Sequence, residues 1–376
     1  MLRQEETLFE AALVGRGVIG EWETTFARWC GVKYAFGTAS GTMALYFALK
    51  AVGVQVGDEV IVPALDWHAA TAAVLHLGAV PVFADIEPNS PTISPHSVRE
   101  RLTERTKAIV ATHLFGYPCD MPALRRLADQ SGVALVEDAA QALGASCDGR
   151  KVGAWGDVGC FSFGVGKLLS CGEGGMVVTD RDDLAERLLT LSAHPLRQQW
   201  EGVEVNPFAL KAPLNPLAAA HLLGEWEQGE ERLAERQRAF ERLFRILGET
   251  RVLRPLPQRD GCRIGFYRFV ALAPSKKGRE RTMTALWAAY LPVSELSGAQ
   301  VLPPKVVEAL RKGQLGWHPF PDRLVEKASL PCPKARSFFE RALTLDWRIG
   351  LEEKAADRLR EVLNALREGS LFPPSD

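Results

Sequence analysis

The feature that most constrains the fold is an alternation of short apolar runs with amphipathic stretches between residues 33 and 180. This alternation is typical of parallel strands joined by crossover helices. Several runs are apolar at successive positions, so their strands should be buried on both faces. We therefore predict an α/β fold with a mainly parallel sheet. The predicted strands are KYAFGT (33–38), DEVIVP (58–63), VPVFADI (80–86), KAIVATHLF (107–115), VALVEDAA (133–140), GCFSFG (159–164) and GGMVVTD (174–180).

Three stretches between these strands have the residue spacing of helices. They are TMALYFALKAVG (42–53), ATAAVLHLG (70–78) and MPALRRLADQSG (121–132). Each of them ends on a glycine, as helices commonly do. We predict that these stretches are the crossovers.

Further along, the pattern becomes helical, first over 182–194 and then over 216–249, where opposed charges recur three and four residues apart. The second stretch is longer than most helices of globular proteins, so we expect it to connect two domains and to bend near Gly229. We predict a large domain over residues 1–240, which includes the N-terminal segment, and a smaller C-terminal α/β domain over residues 241–376.

Charge and cysteine content narrow the partner and the compartment. The 45 Lys and Arg residues nearly balance the 46 Asp and Glu residues, so we expect a small-molecule partner and neither nucleic acid nor membrane. The seven cysteines form no C-x-x-C pair and are odd in number, which favours reduced thiols. Residues 1–17 are too acidic for a signal peptide, and no apolar run is long enough to span a bilayer. We expect a cytoplasmic protein and predict no metal site.

The first candidate motif is TASGTMAL (38–45), which follows a predicted strand and begins a helix. The free N–H groups and the positive dipole end of a helix start suit a phosphate. Gly41 would allow close backbone approach, and Ser40 and Thr42 would add hydroxyl donors. A simple N-cap is the more ordinary role for a serine in this place.

The second motif is VEDAAQALGA (136–145), in which Asp138 ends a strand that should be buried. Burial of a carboxylate is costly unless it meets a cation. At the carboxyl edge of a parallel sheet Asp138 therefore implies a positively charged partner, such as a protonated pyridine nitrogen. Capping of the following helix is the alternative interpretation.

The third motif is CFSFGVGKLLSCGEGG (160–175), in which Lys167 follows a predicted strand and is flanked by glycines. In a tight pocket, desolvation and a neighbouring cation would lower the pKa of Lys167 and make its amine reactive toward an aldehyde. Ser162 would direct its hydroxyl to the same phosphate as Ser40 and Thr42. A solvated surface lysine is the alternative.

Trp67 in ALDWHAA (64–70) follows the strand DEVIVP, and its indole would be able to stack on a flat heteroaromatic ring. Most of the nine tryptophans must simply pack, so this hypothesis depends on the other motifs. His68 and His113 are interpreted as structural residues.

Seven segments occur in a characteristic order between about residue 20 and residue 180, and a weaker match follows over residues 214–226. They are GTASGTMAL, GDEVIVPALDW, GAVPVFADIEP, THLFGYPCDM, VEDAAQALGA, GDVGCFSFGVGK and GEGGMVVTD. This series resembles the motifs of the DegT/DnrJ/StrS family of PLP-dependent sugar aminotransferases. The resemblance implies fold-type I, with a large domain built on a mainly parallel seven-stranded sheet, a small C-terminal domain, and active sites shared by the two subunits of a homodimer.

The resemblance also implies a cofactor, pyridoxal 5′-phosphate (PLP) or its amino form (PMP), and roles for single residues. Lys167 matches the lysine that bonds covalently to the cofactor and moves a proton during catalysis. Asp138 matches the carboxylate paired with the pyridinium nitrogen. Trp67 matches the aromatic residue over the ring, and Gln141 matches a Gln or His near the phenolic oxygen.

Gly41, Thr42 and Ser162 match the residues that hold the cofactor phosphate. The family adds a residue from the neighbouring subunit, often the Asn of an N-Y-R motif, and Lys211 in KAPLNPLAAA occupies that position. A surface lysine beside a helix start is the alternative for Lys211.

Four segments depart from the family pattern, and they normally shape the pocket for the amino acceptor. They are SAHPLRQ (192–198), Pro213 in place of the motif arginine, GWHPFPD (316–322) and LTLDWRIGLEE (343–353). The resemblance therefore implies transamination more strongly than it implies a particular acceptor.

The implied reaction moves an amino group from glutamate or glutamine to a keto sugar, nucleotide-linked by family analogy, or to a keto-cyclitol in a biosynthetic pathway. One alternative is a PMP-dependent sugar dehydratase, but such relatives commonly replace the lysine by histidine, whereas Lys167 is present. Another is a catalytically inactive regulatory protein, against which Lys167, Asp138 and Gln141 together argue. A plain nucleotide-binding protein would need glycine patterns that the first turn lacks.

Overall fold

The computed structural model describes residues 13–296 and 299–371. Residues 1–12, on which most of the signal-peptide argument rests, lie outside the described residues. The helices are α1 (Val18–Cys30), α2 (Gly41–Ala51), α3 (Ala69–His76), α4 (Pro95–Arg101), α5 (Met121–Ser131), α6 (Asp182–Ser192), α7 (Pro195–Trp200), α8 (Pro216–Trp226), α9 (Gly229–Thr250), α10 (Lys276–Ala288), α11 (Leu302–Arg311), α12 (Pro321–Ala328), α13 (Pro333–Arg341) and α14 (Glu353–Glu368).

The strands are β1 (Tyr34–Thr38), β2 (Glu59–Pro63), β3 (Leu65–Asp66), β4 (Val80–Ala84), β5 (Thr106–Thr112), β6 (Ala134–Asp138), β7 (Ser146–Cys147), β8 (Arg150–Lys151), β9 (Val158–Ser162), β10 (Gly175–Thr179), β11 (Arg254–Pro255), β12 (Cys262–Arg263), β13 (Phe269–Leu272), β14 (Val293–Glu295), β15 (Gln300–Val301) and β16 (Ala342–Leu345). Across the part of the chain that the structure describes, no helix combines the length and apolar character needed to cross a membrane.

The central sheet has seven strands in the order β1-β10-β9-β6-β5-β2-β4. Strands β9, β6, β5, β2 and β4 pair in parallel, whereas β10 is antiparallel to both of its neighbours. The prediction of a mainly parallel seven-stranded sheet is confirmed, and each predicted strand coincides with an observed one.

Helices cover both faces of this sheet, which explains why its strands are apolar at successive positions. Ile109 and Val110 are neighbours in β5, yet they belong to different hydrophobic clusters because successive side chains point to opposite faces. Leu45 of α2 packs in the cluster with Val110, and Leu124 of α5 packs in the cluster with Ile109. The predicted crossover helices are thus confirmed in place and in role.

The long helical stretch over 216–249 consists of two helices, α8 and α9, which meet at Gly229. The predicted bend near Gly229 is confirmed. The Asn215 side chain caps α8 by accepting the Leu217 N–H at 2.8 Å. The boundary predicted between residues 240 and 241 falls within α9, and the division of the chain into domains there stays a prediction.

The C-terminal part forms its own antiparallel sheet, in the order β11-β13-β16-β14, and also binds the large sheet directly. Strand β15 pairs with β3, so that Gln300 lies opposite Asp66 in the register. At the end of β4, the Asp85 carboxylate accepts the N–H groups of Lys334 and Ala335 in the first turn of α13. These contacts fix the C-terminal part against the edge of the sheet where β2 and β4 end.

A disulfide bond joins Cys147 in β7 to Cys262 in β12. The prediction that all cysteines are reduced is therefore wrong for this pair, whereas Cys30, Cys119, Cys160, Cys171 and Cys332 are free. The two cysteines are 115 residues apart in sequence, and only the pairing of β7 with β12 brings them together. An odd total of cysteines cannot show whether some of them pair.

Because the disulfide closes a long loop, its removal should destabilise the protein mainly by freeing the unfolded chain. We expect Cys262→Ser to lower the free energy of unfolding by about 2 to 4 kcal/mol in denaturant titrations under non-reducing conditions. Cys332→Ser, at a half-buried free thiol, is the matched control and should cost less. A count of seven free thiols in the unfolded, unreduced protein would contradict the assignment.

Candidate active site

A cavity of about 410 Å³ lies where the carboxyl ends of β5, β6 and β9 meet the start of α2. In open α/β sheets this edge is the usual place for a ligand. Seven of the eight residues predicted for the site line this cavity, namely Gly41, Thr42, Trp67, Asp138, Gln141, Ser162 and Lys167. The fold therefore brings together residues that are spread over more than 120 positions of the sequence.

The start of α2 forms one end of the cavity. Ser40 Oγ accepts the Met43 N–H at 3.2 Å, so the N-cap interpretation of Ser40 is correct. The first N–H groups of an α-helix have no partner within the helix, so those of Gly41 and Thr42 are suited to an anion. A Cβ at Gly41 would lie 2.7 Å from Ser162 Cβ, which explains why glycine stands here.

Asp138 lies at the last position of β6, in register with Thr112 of β5 and Cys160 of β9. Its Oδ1 accepts the Ala140 N–H at 3.0 Å. Burial raises the pKa of Asp138, and the Ala140 N–H, Lys167 and His113 oppose that rise. Because a buried carboxylate with a raised pKa gains most from a cation, the cavity wall favours a positively charged ring edge.

The side-chain oxygen of Gln141 is already hydrogen-bonded, which leaves its amide nitrogen as the donor. Its Oε1 accepts the Phe115 N–H at 2.8 Å, and this donor fixes the orientation of the amide. Phe115 has a φ of 59°, a left-handed conformation that is uncommon outside glycine. The strained turn at Phe115 thus serves to aim an N–H at Gln141.

Lys167 lies in the loop between β9 and β10 and is half-buried. Its N–H donates to the Gly164 carbonyl at 3.2 Å. Its Nζ lies 4.9 Å from the ring centroid of Tyr267, on the C-terminal side of the cavity. The amine is therefore placed between Asp138, which it influences electrostatically, and an aromatic face.

Trp67 is 43% exposed on the cavity side, so a face of the indole remains open to a ligand. His68 packs beside it, with ring centroids 4.4 Å apart, and does not line the cavity. His113 lies in the core, where its Nε2 donates to Glu137 at 3.0 Å and its Nδ1 accepts the Cys119 N–H. These contacts agree with the structural interpretation of both histidines.

Lys211, the eighth predicted residue, is exposed and does not line the cavity of its own chain. The segment that follows it binds the end of β1, because the Ala212 carbonyl accepts the Ala39 N–H and the Leu214 N–H donates to Gly37. A contact of Lys211 with a cofactor would therefore have to come from a second copy of the chain.

Five lining residues with polar side chains were missed by the sequence analysis, namely Asp66, Thr112, Glu173, Tyr267 and Arg268. Asp66 directly precedes Trp67 and Thr112 ends β5, so their positions at strand ends were a usable signal. Tyr267 and Arg268 directly precede β13 and were placed only within the predicted C-terminal domain. Nothing local in the sequence indicates that this strand begins at the cavity.

The donor and acceptor groups around the cavity fit PLP. The helix start with Thr42 and Ser162 suits a phosphate, Asp138 suits a protonated ring nitrogen, and the amide of Gln141 suits a phenolic oxygen. The space beside Gly41 is open only because that residue has no side chain. Lys167 supplies an amine in the same cavity.

The mainly parallel sheet and this cavity define a fold-type I PLP-dependent transferase. The chain belongs to the DegT/DnrJ/EryC1/StrS aminotransferase family, whose sequence profile matches residues 15–366. Members of this family depend on PLP.

Three comparisons illustrate the relationship. The chain is 43% identical to GDP-perosamine synthase of Vibrio cholerae over 46% of its own length and 47% of the relative. It is 49% identical to L-glutamine:2-deoxy-scyllo-inosose aminotransferase of Streptomyces fradiae over 45% of its own length and 40% of the relative. The X-ray structure of an aminotransferase from Psychrobacter cryohalolentis matches with a TM-score of 0.83 and 25% identity, covering 98% of this chain and 96% of the other. The chain thus matches about half the length of the two curated relatives.

A side chain at Gly41 tests the phosphate end of the cavity. We expect Gly41→Ala to displace Ser162, because the new Cβ would lie 2.7 Å from Ser162 Cβ, and to cost about 1 to 3 kcal/mol of stability. The dissociation constant for PLP, measured by equilibrium dialysis, should rise about tenfold or more. Gly248→Ala in α9, where a Cβ meets open space, is the control and should leave PLP affinity unchanged. Equal PLP affinity in both variants would place the phosphate elsewhere.

Proposed function

We propose that this protein is a PLP-dependent aminotransferase that moves an amino group from glutamate or glutamine to a ketone of a sugar or cyclitol. The observation that carries the proposal is the meeting of Lys167, Asp138, Gln141 and the start of α2 in one cavity. Bound PLP would supply an electron sink for the charge left when a proton leaves the substrate carbon. The protein residues position that chemistry and move the proton.

Asp138 is the residue that would keep the ring nitrogen protonated. It is 5% exposed, and no lysine, arginine or histidine in the described ranges forms an ion pair with it. A ring cation would therefore satisfy a carboxylate that is otherwise held by one N–H group. Gln141 would donate to the phenolic oxygen from its amide nitrogen, since its Oε1 is already occupied by the Phe115 N–H.

Lys167 is the residue that would hold the cofactor between turnovers and carry the proton during them. Its Nζ lies against Tyr267 and forms no ion pair with any carboxylate of residues 13–296 and 299–371, so no described carboxylate withdraws the amine from the cavity. Its presence supports transamination over the dehydratase alternative, in which the lysine is commonly absent. Trp67 would cover one face of the ring.

The acceptor is proposed by class. Among the relatives, one is named for a GDP-linked sugar and another for a keto-cyclitol, and both products carry an amino group. Tyr267 and Arg268 also line the cavity: the Tyr267 ring centroid lies 4.9 Å from Lys167 Nζ, and the Arg268 guanidinium lies 5.4 Å from the centroid of the same ring. We propose a keto sugar linked to a nucleotide as the acceptor and a keto-cyclitol as the second candidate.

We further propose a homodimer in which Lys211 of each subunit contacts the cofactor phosphate of the other. Three apolar side chains near Lys211 support an interface there, because Phe208 is 92% exposed, Leu210 53% and Leu217 69%. An apolar patch of this kind marks a contact surface more often than a free one. The cytoplasmic location and the domain boundary remain predictions.

The reaction is tested with the spectrum of purified protein reconstituted with PLP. Glutamate or glutamine should abolish the absorption band of the lysine-bound cofactor, and a keto sugar or keto-cyclitol should restore it. Borohydride reduction and peptide mapping should find the pyridoxyl group on Lys167, and Lys167→Ala should reduce turnover below detection. Lys151→Ala, at a half-buried lysine that does not line the cavity, is the matched control. A band that no donor changes, or a label on another lysine, would reject the proposal.

Sharing between subunits is tested by mixing two inactive variants. A Lys211→Ala subunit keeps Lys167, and a Lys167→Ala subunit keeps Lys211, so a mixed dimer would contain one complete site. We expect the mixture to regain up to about a quarter of wild-type activity, since half of the dimers are mixed and each has one intact site of two. If mixing restores nothing while Lys211→Ala alone is impaired, Lys211 acts within its own chain or only on stability.

A further inference from the structure

The cavity contains a second buried carboxyl group, on Asp66. Its side chain is 0% exposed, and its Oδ1 accepts the Trp67 N–H at 2.8 Å. Its Oδ2 accepts the hydroxyl of Thr112 at 2.7 Å, and Thr112 lies opposite Asp138 in the register of β5 and β6. Asp66 and Asp138 thus line the same wall of the cavity.

Asp66 has two neutral donors and no cation. Within residues 13–296 and 299–371, no lysine, arginine or histidine reaches ion-pair distance of its carboxyl group. By contrast, cationic partners or several N–H partners surround the buried acids Glu23, Glu59, Asp85 and Glu137. Glu137, for example, accepts from His113 and from the N–H groups of Gly153, Trp155 and Gly156. Two ionised carboxylates in one buried wall would repel each other, and the charge on Asp66 would have no cation partner among the described residues.

At the wall formed by Asp66 and Asp138, the balance of charges favours a single ionised carboxylate. Without cofactor, the cation that acts on Asp138 from within the cavity is Lys167. With the proposed cofactor bound to Lys167, the cation would be the ring nitrogen instead. In each state a positive charge is therefore available to Asp138 from within the cavity. Neither Lys167 nor Arg268, the cations that line the cavity, lowers the pKa of Asp66.

We propose that Asp66 is a positioning residue that keeps its proton in the working enzyme, so that Asp138 is the only carboxylate charge facing the ring nitrogen. The inference rests on the proposed function for its role toward the cofactor, but the protonation of Asp66 is a property of the chain itself. As a neutral acid, Asp66 supplies an O–H donor to a wall that would otherwise carry two negative charges.

The surroundings of Asp66 agree with this assignment. Burial and the charge of Asp138 raise the pKa of Asp66 well above its ordinary value, against the opposing effect of the Thr112 hydroxyl and the Trp67 N–H. The other charged or titratable groups that line the cavity are Lys167, Glu173, Tyr267 and Arg268. Behind the wall, His113 and Glu137 are hydrogen-bonded to each other, and Cys119 and Cys160 are buried free thiols.

Infrared difference spectroscopy on the full-length protein tests the assignment, with and without added PLP. We expect a carbonyl stretch of a protonated carboxylic acid at neutral pH in the wild type, and its loss in Asp66→Asn, which keeps the shape and removes the proton. Thr112→Val removes one hydrogen bond to Asp66 and should move the band without abolishing it.

Stability as a function of pH gives a second readout that a purely structural role would not move. An aspartate whose folded pKa is raised stabilises the fold fully below about pH 4, its ordinary value, and this contribution is lost as pH rises toward the folded pKa. The folding equilibrium constant of the wild type relative to Asp66→Asn should therefore fall, by up to about tenfold per pH unit, as pH rises above about 4 toward the folded pKa of Asp66. Denaturant titrations at several pH values measure it.

Three results would overturn the inference: no protonated carboxyl band in the wild type, a band that survives Asp66→Asn and disappears in Asp138→Asn, or parallel stability profiles for wild type and Asp66→Asn. These measurements are also made without PLP. A chain that transaminates but lacks the band refutes the role of Asp66 alone, whereas a chain with the band that never binds PLP refutes the proposed function alone.

Discussion

The arrangement depends on the cost of placing Asp138 at the end of a strand buried on both faces of the sheet. A carboxylate in that position is tolerable only if a cation or several donors face it, and the described structure provides one N–H group, with Lys167 nearby. The cavity, the glycine-flanked loop after β9 and the start of α2 all lie around this one acid. The fold therefore places a buried carboxylate at the centre of the site, and a cationic ligand would compensate its charge.

Much of this could be predicted from the sequence because the information is local. Uninterrupted apolar runs predicted the strands, and glycines marked the ends of crossover helices, so the sheet followed. The unusual length of the helical stretch over 216–249 predicted the break near Gly229. Seven cavity residues were identified because each stands next to a strand end in a recognisable segment. The parallel sheet then brought these ends together, as its topology requires.

The remaining features depend on contacts between distant parts of the chain. The bond between Cys147 and Cys262 arises from the pairing of two short strands, which no periodic pattern announces. Tyr267 and Arg268 likewise reach the cavity through contacts between distant segments, because they belong to the C-terminal part of the chain. Asp66 stands in the motif ALDWHAA, but its role depends on Thr112 and Asp138, which share a wall with it only in the folded chain. The contact proposed for Lys211 involves a second subunit, so it stays a prediction from the structure of one chain.

The pairing of β15 with β3 has a consequence for how the enzyme would admit substrates of different size. Gln300 is joined through the backbone ladder to Asp66 itself, and the disulfide fastens a second point of the C-terminal part beyond the cavity. A hinge opening of that part as one body would tear a strand from the floor of the site. Adaptation to substrates of different size must then come from side-chain rotamers and from the loop that carries Lys167. The entrance of the cavity, rather than the whole C-terminal part, is therefore the natural target for altering specificity.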